Sequence, residues 1–416
     1  MKTDTLAIHG SFSGDSYTGA TAVPIYQTVS YAYKTAGELA DVFAGKGPGY
    51  IYTRMANPTT TALEAGLSLL EDGIGCIATS SGMAAIASAV MGLVRTGERI
   101  ITATGIFGGT ISLFENTLGR FGVETKLVDA ADTAQFEKAI DDRTKLVFIE
   151  TIGNPRMDVP DIPAIAQIAH RTNIPLIVDN TVTTPVLIRP GAFGADIVVH
   201  STSKFINGHG TAIGGAIVDT GNFNWSAGPF EDIRRLSARA GRLAFLAHLR
   251  NLIHRDLGGC PAPMNSFLML QGLETLPPRM ARHCENAARL AEYLQDHPKV
   301  SWVNYPGLAR SKFNSRVRKL FGGKSGGLLT FGLGDKTRAF RFIDSLKLAK
   351  NLANLGDVKT LVIHPASTIF QEFTDEANEK MGVSEDMIRV SVGIEDFEDI
   401  RDDFEQAIQR STEDVK

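Results

Sequence analysis

Short runs of apolar residues without polar alternation recur through the first half of the chain, and they restrict its fold more than any other feature. They are Gly75-Cys-Ile-Ala-Thr79, Arg99-Ile-Ile-Thr102, Lys145-Leu-Val-Phe-Ile149, Pro175-Leu-Ile-Val-Asp179, Asp196-Ile-Val-Val-His200 and Gly214-Gly-Ala-Ile-Val218. A strand with one wet face alternates; a strand that does not is buried on both faces, as in a parallel sheet covered by helices. Stretches with helical spacing, such as Leu63 to Leu70, Ala84 to Val94 and Ile162 to His170, lie between these runs and read as crossovers.

At 416 residues the chain is too long for one core. Its pattern changes beyond Pro277-Pro278. There a helix over 281–295 leads to strands at Gly327 to Phe331, Leu361 to Ile363 and Ile388 to Val392, and then to a helix over 397–409. The expected architecture is α/β in three parts. An extended arm rich in Thr, Tyr, Gly and Pro covers 1–60. A large domain with a mostly parallel, doubly wound sheet covers 61–262. A linking helix (Phe267 to Leu276) with a small C-terminal α+β domain covers 263–416.

The 42 basic and 46 acidic residues leave a net charge of −4, and no like-charged run suggests nucleic acid or an anionic membrane as a partner. The stretch from Arg234 to Arg255 mixes arginines with Leu and Ala at helical spacing and reads as an amphipathic helix with a solvated face. No run approaches the roughly 20 apolar residues of a membrane span. Cys76, Cys260 and Cys284 are odd in number and far apart, which argues against a disulfide framework and a metal site. With no apolar signal-peptide core near Met1, the cytoplasm is the expected compartment.

The chemistry-bearing residues stand where two apolar runs end. Asp179 closes one, and Lys204 follows the next in His200-Ser-Thr-Ser-Lys204. Ligands of open α/β sheets sit beyond the carboxyl ends of the strands, so an amine and a carboxylate reach one crevice. Taken alone, the two could simply pair with each other. Ser201 and Ser203 flank the lysine and offer hydroxyls to a phosphate. Ser81-Gly82-Met83 lies between a strand and a helix start, where free N–H groups and the helix dipole favour an anion; a simple helix cap is the plainer alternative there. Together the parts match the needs of pyridoxal phosphate: an amine for its aldehyde, an anion for its ring nitrogen and a cradle for its phosphate. No Gly-x-Gly-x-x-Gly turn follows the first strands, which speaks against a dinucleotide-binding dehydrogenase. A non-catalytic binding protein on the same fold is the other rival.

With these motifs in place, the sequence resembles the Cys/Met-metabolism family of pyridoxal-phosphate enzymes. The likeness runs from Pro24-Ile-Tyr-Gln-Thr28 to Arg389-Val-Ser-Val-Gly-Ile-Glu395. It includes Tyr52-Thr-Arg54, Asn57-Pro-Thr59, Ser81-Gly-Met83, Asn154-Pro155, Asp179-Asn-Thr181 and Ser201-Thr-Ser-Lys204. Within the family the likeness is greatest to the O-acetylhomoserine sulfhydrylase branch. Three stretches carry it: Pro263 to Leu276 with Asn265 where synthases and lyases tend to carry an acid, the long segment between Val218 and Gly258, and Phe370-Gln-Glu-Phe-Thr-Asp-Glu376.

The resemblance implies a fold-type I pyridoxal-phosphate transferase with Lys204 as covalent anchor and base. It implies Asp179 at the ring nitrogen, and Tyr52 and Arg54 reaching a neighbour's cofactor phosphate across a homodimer or homotetramer with shared sites. Arg389, helped by Asn154 and Ser367, would clamp the substrate carboxylate, as a bidentate guanidinium does well; a surface salt bridge is the alternative for Arg389. The implied reaction is γ-replacement, converting O-acetyl-L-homoserine and sulfide or a thiol into L-homocysteine and acetate. Elimination or replacement as in methionine γ-lyase or the cystathionine synthases and lyases is the nearest rival. The sequence departs from the family at Phe107, where a ring-stacking tyrosine is usual, and at Ser367-Thr-Ile-Phe370, which is less polar than usual. Phe107 keeps the π-stacking and loses the phenol.

Overall fold

The computed structural model describes residues 1–412; the last four residues of the expected C-terminal part, 413–416, lie outside the described residues. The large sheet has seven strands: β1 (Gly75–Thr79), β2 (Arg99–Ala103), β3 (Glu124–Val128), β4 (Thr144–Glu150), β5 (Leu176–Asp179), β6 (Ile197–His200) and β7 (Gly215–Asp219). Their order across the sheet is β1-β7-β6-β5-β4-β2-β3. All neighbours are parallel except β7, which runs against both β1 and β6. The expected apolar runs are these strands. β3 escaped the sequence reading because Glu124-Thr-Lys-Leu-Val128 is an edge strand that pairs with β2 alone, so half of it stays wet.

A second, smaller sheet has five strands: β8 (Trp302–Asn304), β9 (Leu328–Gly332), β10 (Lys350–Asn351), β11 (Leu361–Ile363) and β12 (Met387–Ser391). They lie in the order β10-β11-β12-β9-β8, and only β10 and β11 pair in parallel. The helices Lys336–Ser345 and Phe397–Ser411 cover this sheet, and Phe342 meets Phe331 and Phe404 edge to ring in a core separate from that of the large sheet.

Three expectations are corrected. The helix expected at 281–295 begins at Leu276, because Pro277 and Pro278 fall in its first turn, where no N–H donor is needed. The stretch Arg234 to Arg255 is not one helix. Glu231–Ala240 ends at Gly241, whose φ of 56° lies in the left-handed half of the map, and the chain resumes as Ala244–His248 and a π-helical turn over Leu249–His254. Its face is not simply solvated either, since Arg250 pairs with Glu64 at 2.9 Å. The arm carries two short helices, Thr3–His9 and Ala36–Phe43, and is otherwise irregular, with Tyr17, Val29 and Phe43 exposed.

The two sheets meet along the helices Pro263–Glu274 and Leu276–Gln295. Buried Arg279 donates to the carbonyls of Phe205, Ile206 and Gly272, and His283 Nδ1 bonds Val392 O at 2.7 Å. The loop at 353–356 presses on the segment after β6 so closely that a Cβ on Gly356 would lie 2.5 Å from Phe205 N. That contact brings the smaller sheet's loops over the carboxyl ends of β4, β5 and β6.

Candidate active site

Parallel strands in register deliver their last residues side by side. Glu150 pairs with Asp179 across β4 and β5, and β6 ends next to them at His200, followed by Ser201 and Lys204. These ends, the turn after β1 and two loops of the smaller domain enclose a cavity of about 720 Å³. Of the expected residues, Ser81, Gly82, Met83, Phe107, Asn154, Asp179, Ser201, Ser203, Lys204 and Arg389 all line it.

The Lys204 amine donates to Asn354 Oδ1 at 2.6 Å. Burial pulls its pKa down to about 8, and the nearby Arg389 cation acts in the same direction. Asp179 accepts from Thr181 N at 2.8 Å and has no ion pair among the described residues. Burial pushes its carboxyl above the usual range. Its partial exposure is exposure to the cavity, so water does not relieve this cost in bulk fashion. A cation placed before Asp179 would relieve it.

Ser81 caps the helix Gly82–Met91, its hydroxyl accepting from Ala84 N at 3.0 Å. The plainer reading of this motif and the anion-binding one therefore both hold: the cap occupies one donor, and the first-turn N–H groups of Gly82 and Met83 have no partner within the helix. A Cβ on Gly82 would lie 2.6 Å from Ser201 Cβ, so the turn closes on the segment after β6 only because residue 82 is glycine. Among the described residues the Ser201 hydroxyl has no hydrogen-bond partner, whereas the Ser203 hydroxyl donates to Gly214 O at 3.1 Å and accepts from Gly214 N at 2.9 Å. Ser201 is free to meet an anion; Ser203 is engaged in shaping the loop.

Arg389, in β12, is only 3% exposed and has no ion pair among the described residues. Its guanidinium donates to Asn154 Oδ1 and to the Asn354 carbonyl, both at 3.1 Å, and burial lowers its pKa to about 10. A buried cation held only by neutral acceptors is a receptor for an anion.

Three expected residues lie elsewhere. Ser367 bonds His364 Nδ1 at 2.8 Å, and Ile369 rather than Ser367 reaches the cavity. Tyr52 is 41% exposed on the arm, with the Arg54 guanidinium 5.4 Å from its ring centre and bonded to the Arg255 carbonyl. Neither lines the cavity of its own chain. Conversely, the sequence reading passed over Glu150 and Asn354. Glu150 carries the same signal as Asp179, an acid that ends an apolar strand; Asn354 sits in an irregular loop with no signal of its own.

An amine, an unneutralised carboxylate, a glycine-tight turn of free N–H groups and the Phe107 ring fit pyridoxal phosphate as a donor set. Among the described residues no group of three His, Cys, Asp or Glu is arranged to hold a metal ion, and no helix is long and apolar enough to cross a membrane.

Comparison with known proteins agrees with this donor set. The family model for Cys/Met metabolism PLP-dependent enzymes matches residues 4–409. The chain is 41% identical to an O-acetyl-L-homoserine sulfhydrylase of Leptospira meyeri, over 98% of this chain and 97% of the relative. It is 43% identical to a homocysteine synthase of Schizosaccharomyces pombe, over 98% of both. A solved O-acetylhomoserine (thiol)-lyase of Campylobacter jejuni, carrying N'-pyridoxyl-lysine-5'-monophosphate, superimposes with a TM-score of 0.95 at 36% identity, over 98% of this chain and 100% of that one.

Proposed function

Because the chain belongs to the Cys/Met-metabolism family of PLP-dependent enzymes, we propose that it catalyses γ-replacement on O-acetyl-L-homoserine. Sulfide or a small thiol forms a C–S bond at Cγ, the C–O bond there breaks, and acetate leaves; with sulfide the product is L-homocysteine. The observation that carries this reading is the convergence of Lys204, Asp179, the Gly82 turn and the unpaired Arg389 on one cavity. Bound pyridoxal phosphate supplies an aldehyde that takes up an amino group and a ring that draws electrons from the carbon bearing it.

The residues then divide the work. The helix N-terminus at Gly82 and Met83, with Ser201, holds the phosphate, and Ser203 keeps the loop in shape. Asp179 would keep a proton on the ring nitrogen, and Phe107 would stack against the ring. Arg389, oriented by Asn154, takes the α-carboxylate through two N–H bonds. Lys204 would anchor the cofactor, and its Nζ is the base placed to take a proton from Cα and then one from Cβ. A neutral amine does this better than an ammonium, which is what burial favours at this site.

The exposed positions of Tyr52 and Arg54 support sites completed by a second copy, in a homodimer or homotetramer. The division into an arm (1–60), a cofactor domain (61–262) and a C-terminal domain (263–416), and a cytoplasmic location, belong to the same proposal. The test is a product assay on O-acetylhomoserine with and without sulfide. Homocysteine formed only with sulfide supports replacement; a 2-oxo acid and ammonia formed equally well without it would overturn the reading in favour of a lyase.

A further inference from the structure

Glu150 is a buried cavity carboxylate to which the reading above gives no task, although it sits at the centre of the site. It is the last residue of β4 and stands beside Asp179 in the sheet. Its two oxygens serve two different loops. Oε1 accepts from Phe107 N at 2.9 Å, and Oε2 accepts from Asn154 N at 3.0 Å. Phe107 carries the ring that lies in the cavity, and Asn154 passes the constraint on, since its Oδ1 takes Arg389 Nη1 at 3.1 Å.

We propose that Glu150 is a positioning residue that holds the ring-covering loop and the carboxylate clamp in one geometry, so that the cofactor and substrate sites form together. The side chain chemistry suits this task and few substitutes do. Both main-chain groups are donors, so both side-chain oxygens must be acceptors, which glutamine cannot offer. Both loops must be spanned from one strand end, and aspartate is a methylene too short to reach them together. Burial first, and then the Asp179 charge, push the Glu150 carboxyl well up, and the two N–H donors pull in the opposite direction. Losing either bond leaves a buried N–H without a partner and loosens the loop that carried it.

The inference rests on the reading of the cavity as the pyridoxal-phosphate site, and the test separates the two. Equilibrium binding of pyridoxal phosphate to the apo-protein, KM and kcat for O-acetylhomoserine, and apo-protein melting temperature are measured for Glu150→Gln, Glu150→Asp, Phe107→Leu and Asn154→Ala. Phe107→Leu should weaken cofactor binding with little change in KM, and Asn154→Ala should raise KM with little change in cofactor binding. Glu150→Gln should do both, each by about tenfold or more, the scale of one hydrogen bond to a charged group. Glu150→Asp keeps a carboxyl group at that position and should still show both defects. The proposal is overturned if the Glu150 variants shift only one of the two quantities, or if aspartate restores both. If Glu150→Gln does not fold, Glu150→Asp alone decides between these outcomes. Borohydride trapping in the natural protein and in Lys204→Ala is the control: cofactor fixed equally in both would refute the site reading itself, whatever the Glu150 variants do.

Discussion

Raising the pH should speed covalent capture of pyridoxal phosphate by the apo-protein, with a midpoint near 8, because only the neutral Lys204 amine can attack an aldehyde. Burial, aided by Arg389, holds that amine at a pKa of about 8 instead of the ordinary 10.5. At pH 7 roughly one amine in ten is then neutral, against about three in ten thousand for an unperturbed lysine, a gain of about 300-fold in the reactive form. The same displacement corresponds to roughly 3 kcal/mol of cost for burying the charged form. Its sign follows from the direction of the shift. The cost is present below about pH 8 and is relieved as the pH rises towards 10.5, so the apo-protein should gain stability over that window relative to Lys204→Met. The assay is stopped-flow absorbance of the first-order step after rapid binding, from about pH 6.5 to 9.5, with a free lysine derivative as the reference for the cofactor's own titration. Arg389→Leu should move the midpoint upward by removing the repulsion while leaving the larger burial effect. A rate that keeps rising without levelling through the whole range, in step with the free amine, would show that Lys204 is not desolvated and refute the reasoning.

Three other substitutions probe the remaining parts. Arg389→Lys replaces a planar fork by a point charge and should raise KM for O-acetylhomoserine by about 10- to 100-fold, with a smaller change in kcat, as steady-state kinetics will show. Gly82→Ala would place a methyl group 2.6 Å from Ser201 Cβ, so the turn and the segment after β6 must move apart: cofactor affinity measured by equilibrium binding should fall at least tenfold, and the melting temperature of the apo-protein should fall with it. Phe107→Tyr adds a phenol beside the reacting carbons; it should raise cleavage of methionine, whose thiolate leaves poorly, more than it raises replacement on the ester. General acid–base assistance of about 10²–10⁴-fold makes the contrast in kcat/KM measurable, and a natural protein that already cleaves methionine as well as it uses the ester would contradict it.

How far the sequence could be read depended on whether a residue's neighbours were close in the chain. Asp179 and Lys204 end or follow apolar strands, and strand ends of a parallel sheet converge by rule, so their meeting needed no coordinates. Glu150 obeys the same rule at β4 and could have been found with it. Asn354 could not, because it comes from an irregular loop 150 residues from the lysine it touches. Hydroxyls were legible in type and not in partner. Ser201 keeps its oxygen free, while Ser203 spends its oxygen on Gly214 and Ser367 on His364. The fold shows the same divide: buried strands stood out from composition, whereas the half-wet β3 and the break at Gly241 depend on what packs against them.

The reversed strand β7 has a consequence for how such a protein can change over time. Because β7 runs against β6, the lysine segment is a direct return from one strand to its neighbour, and the hydrogen bonds between Ser203 and Gly214 fasten it partway. Lys204 is placed by its four-residue spacing from His200 at the end of β6, so a residue inserted or deleted between His200 and Lys204 would carry the amine out of reach. The opposite wall is built from loops of the smaller domain; the one at 353–356 is pinned by Asn354 and Gly356, whereas Ile369 arrives from a separate stretch. Lineages built on this plan can vary the stretch around Ile369 to admit a bulkier acyl group or thiol while the amine that does the chemistry stays where the sheet holds it.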